Sequence, residues 1–216
     1  MAHHTRSMTV PHHEDENSGP RAKPNTRKGP AAASKTVLNV GCGYPRRQRL
    51  HQYFHGSEWQ EIRLDIDPAV HPDILCSITD MSPVVSQSVD AVWSSHNLEH
   101  IYRHEVPAAL AEFIRVLKPG GLLLLTLPDL QQVAEHVLAD RLEDEAYLSP
   151  SGPVTPLDMI FGHTPSLALG YAFMAHKTGF TLRSLQGLLT ACGFVEVRLR
   201  RGGAFDLWAT AHKPEM

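Results

Sequence analysis

The sequence is poor in cysteine and has no long apolar run. Its three cysteines, Cys42, Cys76 and Cys192, lie far apart and form no CxxC pair. This spacing argues against a disulfide framework and a cysteine-based zinc site, and it is typical of a reducing compartment. The longest apolar run, Leu122 to Leu127, is much shorter than the ~20 residues that cross a bilayer. With no apolar segment near its start that resembles a signal peptide, we expect a cytoplasmic chain without a membrane partner.

An excess of charge of either sign is also missing. The chain carries 20 Lys and Arg against 23 Asp and Glu, which gives a net charge of -3. The overall charge therefore does not imply a nucleic-acid partner. A length of 216 residues with 42% hydrophobic residues suits one globular domain with a sizeable core.

Residues 1 to 35 hold almost no large apolar side chain. Such a composition cannot bury enough surface to offset the entropy of ordering, so we expect a disordered N-terminal tail. Its basic residues could contact RNA or an acidic partner, although a merely solvated tail is favoured. The pairs His3-His4 and His12-His13 could take up stray metal. The folded domain is expected over residues 36 to 216.

From Thr36 onward, short apolar runs alternate with helical patterns. The first strands are predicted at Val37 to Val40, Ile62 to Asp65, Ala91 to Ser94 and Leu122 to Leu127. Helices are predicted at Arg46 to Phe54, Val106 to Leu117 and Thr181 to Ala191. This alternation predicts an α/β fold with a doubly wound, mostly parallel sheet. The last two apolar runs, Phe194 to Leu199 and Phe205 to His212, are close enough to pair as an antiparallel hairpin.

The segment VLNVGCGYPRR, residues 37 to 47, predicts a strand that runs into a glycine-rich turn. Gly41 and Gly43 lack the Cβ atoms that would keep the backbone away from a ligand. A dinucleotide-binding turn would have a third glycine, and this one does not. In a doubly wound sheet, the ligand should lie at the carboxyl ends of the strands.

Six segments, in order, resemble the class I S-adenosylmethionine-dependent methyltransferases of the small single-domain type. They are Val37 to Gly43, Leu64 to Pro68, Val89 to Val92, His96 to His100, Arg115 to Gly121 and Ala191 to Phe194. The resemblance implies a Rossmann-like, seven-stranded sheet with an antiparallel C-terminal hairpin. It also implies S-adenosyl-L-methionine as cofactor and methyl transfer by in-line displacement.

The resemblance places cofactor-binding residues after the first strands. They are Asn39, Gly41, Cys42, Gly43, Asp65, Ile66, Ser77, Ile78, Ser94 and Ser95. In this family, an acid at the position of Asp65 binds both ribose hydroxyls. Asn39 departs from the family, which commonly has an acid on the first strand, and Ser77 stands where an acid commonly reads adenine. The Ser77 hydroxyl, Asp80, or the backbone and packing could take over that contact.

Two histidines after the fourth strand, His96 and His100, are candidate catalytic bases. A base is needed only if the acceptor carries a proton of high pKa, and His100 could equally cap or pack a helix. No acidic or histidine cluster stands at metal-ligand spacing, so no metal site is predicted. The acceptor is unidentified, with a small molecule favoured.

The segment from 145 to 180 is predicted to be an inserted lid or acceptor-binding segment, because it is long and rich in Pro, Gly and aromatic residues. Its candidate pocket residues are Tyr147, Met159, Phe161, His163, Tyr171, Phe173, His176 and Lys177.

Two other functions fit the sequence less well. A nicotinamide-dependent reductase would want the complete Gly-x-Gly-x-x-Gly turn and, in the short-chain type, a Tyr-x-x-x-Lys pair, which this sequence lacks. A non-catalytic relative that binds the cofactor or a protein partner is supported only by Asn39 and Ser77.

Overall fold

The computed structural model describes residues 34–45, 50–150 and 152–215. The predicted N-terminal tail therefore lies almost entirely outside the described residues. The predicted helix from Arg46 to Phe54 is described only from Leu50 onward, where a single 3-10 turn spans Gln52–Phe54.

Within the described residues, one seven-stranded sheet forms the centre of the fold. Its strands are β1 (Lys35–Val40), β2 (Trp59–Asp65), β3 (Ile74–Leu75), β4 (Val89–Ser95), β5 (Leu117–Pro128), β8 (Val195–Arg201) and β9 (Asp206–His212), and a separate hairpin pairs β6 (Tyr147–Ser149) with β7 (Gly152–Val154). The strand order is β3-β2-β1-β4-β5-β9-β8. The first five strands are parallel, whereas β9 is antiparallel to both β5 and β8. The predicted fold class is confirmed.

The central strands are apolar on both sides because both faces of the sheet are covered. On β4, Val92 packs into the larger core, while Ala91 and Trp93 pack into a second cluster with Phe54. Successive strand residues point to opposite faces, so this alternation divides one apolar run between two cores.

Five helices are described. They are α1 (Val106–Val116), α2 (Leu130–Leu138), α3 (Pro156–Phe161), α4 (Thr164–Ala168) and α5 (Leu182–Ala191). Leu110 and Phe113 of α1 and Leu185 and Leu189 of α5 are fully buried in the larger core. Their three- and four-residue spacing puts each pair on one helix face, which packs against the sheet.

The strand order reverses between β1 and β4, which are neighbours although two strands separate them in sequence. Val40 lies beside Leu64 on one side and beside Ser94 on the other. The residues that follow β1, β2 and β4 therefore meet at the same edge of the sheet. A crevice at such a reversal is where open α/β sheets bind their ligands.

The segment from 145 to 180 contains the β6–β7 hairpin, α3, α4 and a 3-10 turn over Ala172–Met174. Thr155 and Asp158 form a capping box that starts α3. The segment returns to the sheet where the Lys177 N–H donates to the carbonyl of Glu99 at 2.7 Å. It thus lies against the loop that follows β4. No helix in the described part of the chain has the length and apolar character that a membrane span requires.

Candidate functional site

The glycine turn is tied to the end of β2 by Asp65. The Asp65 carboxylate accepts a hydrogen bond from the Gly43 N–H at 2.8 Å and another from the Asp67 N–H at 3.0 Å, one on each oxygen. Each carboxylate oxygen has a further lone pair. Since Asp65 keeps 9% of its surface exposed, the same carboxylate can still accept from two hydroxyls of a ligand.

Gly41 and Gly43 adopt left-handed backbone conformations, with φ of 63° and 59°. A Cβ on Gly41 would stand 2.8 Å from the side chain of Asn97. Glycine is therefore required here by the fold itself, as well as by any ligand that approaches the turn.

Arg63 supports the turn from β2. Its guanidinium donates to the carbonyl oxygens of Gly43 at 2.5 Å, Val70 at 3.0 Å and His71 at 2.9 Å. Sequence reasoning missed this residue because its partners lie on separate loops. Between the two glycines, burial raises the pKa of the Cys42 thiol to about 11, so Cys42 contributes backbone rather than a nucleophile.

Asn39 has an acidic neighbour. The Asn39 amide, which is 3% exposed, donates to the Glu61 carboxylate on β2 at 2.7 Å. A carboxylate thus lies beside the position where the family commonly has one on the first strand. The amide and the acid form a matched donor and acceptor.

We expect Asn39→Asp to lower the free energy of unfolding by about 1–2 kcal/mol, although it restores the family's acid. The substitution removes the amide donor and puts a second carboxylate against Glu61. Urea denaturation near neutral pH measures the loss. The double variant Asn39→Asp/Glu61→Gln should regain most of the stability, and a double variant no better than the single one would contradict this account.

Ser77 and Asp80 are both engaged locally. The Ser77 hydroxyl lies 2.8 Å from the Thr79 hydroxyl and accepts from the Thr79 N–H at 3.2 Å. The Asp80 carboxylate accepts from the Ser82 N–H at 3.1 Å. Ile66 is 47% exposed beside Asp65, whereas Ile78 is buried. These contacts are compatible with each of the three predicted ways to hold adenine.

A cavity of about 500 Å³ opens beside the glycine turn. It is lined by Asn39, Gly41, Cys42, Leu50, His51, Gln52, His55, Trp93, Ser95, His96, Thr126, Asp206 and Trp208. The Trp93 and Trp208 rings stack with centroids 6.0 Å apart. The cavity wall thus combines polar groups at the strand ends with aromatic side chains.

The cavity brings together five of the predicted site residues: Asn39, Gly41, Cys42, Ser95 and His96. Gly43 and Asp65 adjoin it through the turn, and Ser94 is buried in the sheet. Ser77, Ile78 and His100 do not line it.

Sequence reasoning missed Thr126, Asp206 and the two tryptophans. One signal was available, because Thr126 is the single polar residue within the apolar run from Leu122 to Leu127. Its hydroxyl is buried and has no hydrogen-bond partner among the described residues. Thr126 lines the cavity, although its hydroxyl oxygen is itself buried.

The proposed lid residues do not wall this cavity, since its described lining includes none of them. Met159 packs with Val133 and Val154 in a small core of its own. The rings of Phe161, Tyr171 and Phe173 are exposed.

His96 stands at the cavity with a carboxylate behind it. Its φ of 48° is left-handed, and its N–H donates to the Thr126 carbonyl at 2.9 Å. The Nδ1 atom lies 3.3 Å from Glu99 Oε1, and the His96 side chain is 48% exposed. Desolvation lowers the pKa of His96, but the contact with Glu99 and its charge outweigh desolvation, so the pKa is raised above its ordinary value. The imidazole is thus oriented by Glu99.

His100 belongs to a different group, behind the cavity. Glu99, His100 and His176 each offer a ligand-type atom, and these atoms all lie within 4.8 Å of one another. Burial raises the pKa of Glu99, but the contact with His96 and the surrounding imidazoles outweigh it, so the pKa is lowered. Desolvation lowers the pKa of His176, which favours the neutral imidazole.

Part of the sequence matches a known protein family. Residues 38–125 match the family model described as "Methyltransferase domain". The match covers the glycine turn, Asp65, His96, Glu99 and His100. No curated protein matches the sequence.

Solved structures share the fold at low sequence identity. A SAM-dependent methyltransferase from Methanosarcina mazei has a TM-score of 0.56 and 18% identity, over 86% of this chain and 95% of that one. One from Archaeoglobus fulgidus has a TM-score of 0.53 and 15% identity, over 84% and 87% of the two chains. The 1,6-didemethyltoxoflavin-N1-methyltransferase from Burkholderia thailandensis, with 1,6-didemethyltoxoflavin and S-adenosylhomocysteine bound, has a TM-score of 0.51 and 17% identity, over 84% and 72%.

Proposed function

We propose that the chain carries a class I S-adenosylmethionine-dependent methyltransferase domain. On this premise, it methylates a small molecule bound in the cavity beside His96. The match of residues 38–125 to a methyltransferase family model, and the S-adenosylhomocysteine bound in a neighbour of the same fold, support the predicted family and the predicted cofactor, S-adenosylmethionine. The observation that carries the proposal is the meeting of the glycine turn, Asp65 and His96 at one edge of the sheet.

The residues at the turn fit the cofactor. Asp65 would accept hydrogen bonds from the two ribose hydroxyls, because each of its oxygens keeps a free lone pair after binding the turn. Gly41 and Gly43 leave room for close approach of the methionine half. The exposed side chain of Ile66 gives the adenine an apolar surface.

When bound, the cofactor supplies a methyl group already activated on a sulfonium. The remaining tasks of the protein are to bring the acceptor atom into line and to remove its proton. His96 would take that proton on Nε2, since its Nδ1 faces Glu99. The buried Glu99 carboxylate would then stabilise the imidazolium that forms.

The cavity indicates the class of acceptor. The cavity is lined by Trp208 and His51 together with the polar side chains of His96 and Asp206, so it suits a ring that carries polar substituents. We therefore propose a heteroaromatic or phenolic small molecule with an N–H or O–H to be methylated. The Burkholderia thailandensis structure, which holds a ring compound and S-adenosylhomocysteine, supports this class by analogy of fold.

Titration calorimetry with S-adenosylhomocysteine, followed by transfer of a labelled methyl group to a panel of ring compounds, tests the proposal. Micromolar binding and labelling of at least one N–H or O–H compound are expected. Binding without labelling of any acceptor class would favour the non-catalytic alternative, in which the chain senses the cofactor or binds a protein partner. Failure of the folded protein to bind the cofactor would overturn the proposed methyl transfer and leave the alternative in which the chain binds a protein partner.

A further inference from the structure

We infer that Glu99, His100 and His176 form a binding site for a Zn²⁺ ion, which joins the segment from 145 to 180 to the loop after β4. Their ligand-type atoms lie within 4.8 Å of one another. In tetrahedral zinc coordination, bonds of about 2.0–2.2 Å separate ligand atoms by roughly 3.4 Å. Rotations that move these side chains by about an ångström therefore close the site.

Both imidazoles are oriented as zinc ligands usually are. His100 Nδ1 lies 3.2 Å from the Ala175 carbonyl oxygen, and His176 Nδ1 lies 2.9 Å from that of Met159. A carbonyl oxygen can only accept, so each Nδ1 carries the proton and each Nε2 keeps its lone pair. Metal-bound histidines are typically held by such a backbone contact at the second nitrogen.

Glu99 supplies an independent observation. Its side chain is 1% exposed, and neither carboxylate oxygen accepts a hydrogen bond among the described residues. Oε1 lies 3.3 Å from His96 Nδ1, which leaves Oε2 for a cation. His96 compensates the charge from the side of Oε1, whereas Oε2 is buried with no hydrogen-bond partner among the described residues, and a divalent ion would supply the positive charge on that side.

The set of donors indicates the kind of metal. Two imidazoles and one carboxylate form a known zinc set, with a fourth position left for water or another ligand. Calcium and magnesium prefer sites made only of oxygen ligands, so they fit poorly. This donor set therefore favours zinc over the ions that prefer oxygen ligands, and zinc is the ion proposed here.

The site connects parts of the chain that are far apart in sequence. Glu99 and His100 follow β4, whereas His176 follows the 3-10 turn over Ala172–Met174. The Lys177 and Thr178 N–H groups already donate to the Glu99 carbonyl at 2.7 and 3.3 Å. An ion at this point would hold the inserted segment against the loop after β4, which also carries His96.

Zinc titration of the full chain tests the inference, with a chromophoric chelator as competitor. Because the tail contains histidine pairs, the reference protein carries alanine at His3, His4, His12 and His13. We expect one zinc ion per reference chain and slower hydrogen exchange in residues 156–178 when zinc is bound. His176→Ala and Glu99→Gln should each weaken zinc binding at least 10-fold.

His104→Ala is the matched control, because His104 is exposed and lies outside the cluster; it should bind zinc as the reference does. Circular dichroism establishes that each variant is folded. Cobalt substitution gives a second measurement, because its visible absorption bands should change in His176→Ala but not in His104→Ala. Absence of zinc binding by the reference, or unchanged affinity in a folded His176→Ala variant, would overturn the site. Neither titration requires cofactor or acceptor, so the result is separate from the proposed methyl transfer.

Discussion

Replacing Asp65 with alanine is expected to weaken S-adenosylhomocysteine binding by about 10- to 150-fold. The lost hydrogen bonds run to a charged group, and such bonds contribute about 1.5–3 kcal/mol. Titration calorimetry measures the change directly. The effect should be large because the carboxylate is nearly buried, where solvent screening is weak.

Part of that loss would come from the turn rather than from the ribose. The carboxylate also accepts from the Gly43 N–H at 2.8 Å, so Asp65→Ala frees the glycine turn as well. Asp65→Asn tests the same contacts more gently, because the amide keeps one acceptor oxygen but turns a donor toward one of the two backbone N–H groups and toward one ribose hydroxyl. We expect a loss of affinity together with a loss of stability, and urea denaturation of both variants measures how much of the effect comes from the turn.

Asp67→Ala is the matched control, because it also removes one carboxylate near the glycine turn. Its carboxylate accepts from the Ala69 N–H at 2.9 Å and faces the following turn. Affinity should change by less than about twofold, as for surface groups away from a site. If Asp67→Ala weakened binding as much as Asp65→Ala, the ribose assignment would be wrong.

Much of the fold was predictable because its signals are local. The buried runs from Val37 to Val40 and from Leu122 to Leu127 have the composition of parallel strands covered on both faces. The paired glycines and the acid at the end of β2 lie at strand ends, which meet at the ligand edge of such a sheet, so their places could be predicted from the order of the strands. The helix from Arg46 to Phe54 is described only as a 3-10 turn over Gln52–Phe54.

The rest of the site depends on side chains from separate elements. In the sequence, Asn39 is only a departure from the acid that the family commonly has. Its pairing with Glu61 depends on the register between β1 and β2, which the sequence does not show. Likewise, nothing local links Glu99 with His176; only the return of the inserted segment to the loop after β4 brings them together. Contacts of this kind follow from tertiary packing and leave no periodic trace in the sequence.

His96→Asn is expected to lower kcat by about 10²- to 10⁴-fold, the usual contribution of a general base. Asparagine is the suitable replacement because His96 has a φ of 48°, which asparagine tolerates better than alanine does. It keeps a polar side chain at the cavity but cannot accept the proton. The labelled-methyl assay, with the acceptor found in the screen, gives kcat, and calorimetry gives the cofactor affinity, which should be unchanged.

His104→Ala again serves as the control, since the loss of an exposed imidazole outside the cavity should leave kcat within about twofold of the original.

A second check compares two acceptors of different pKa. An acceptor whose proton is already lost at neutral pH needs no base, so His96→Asn should slow its methylation far less than that of an acceptor with a high pKa. An equal loss of kcat for both acceptors would mean that His96 positions the acceptor rather than removing its proton.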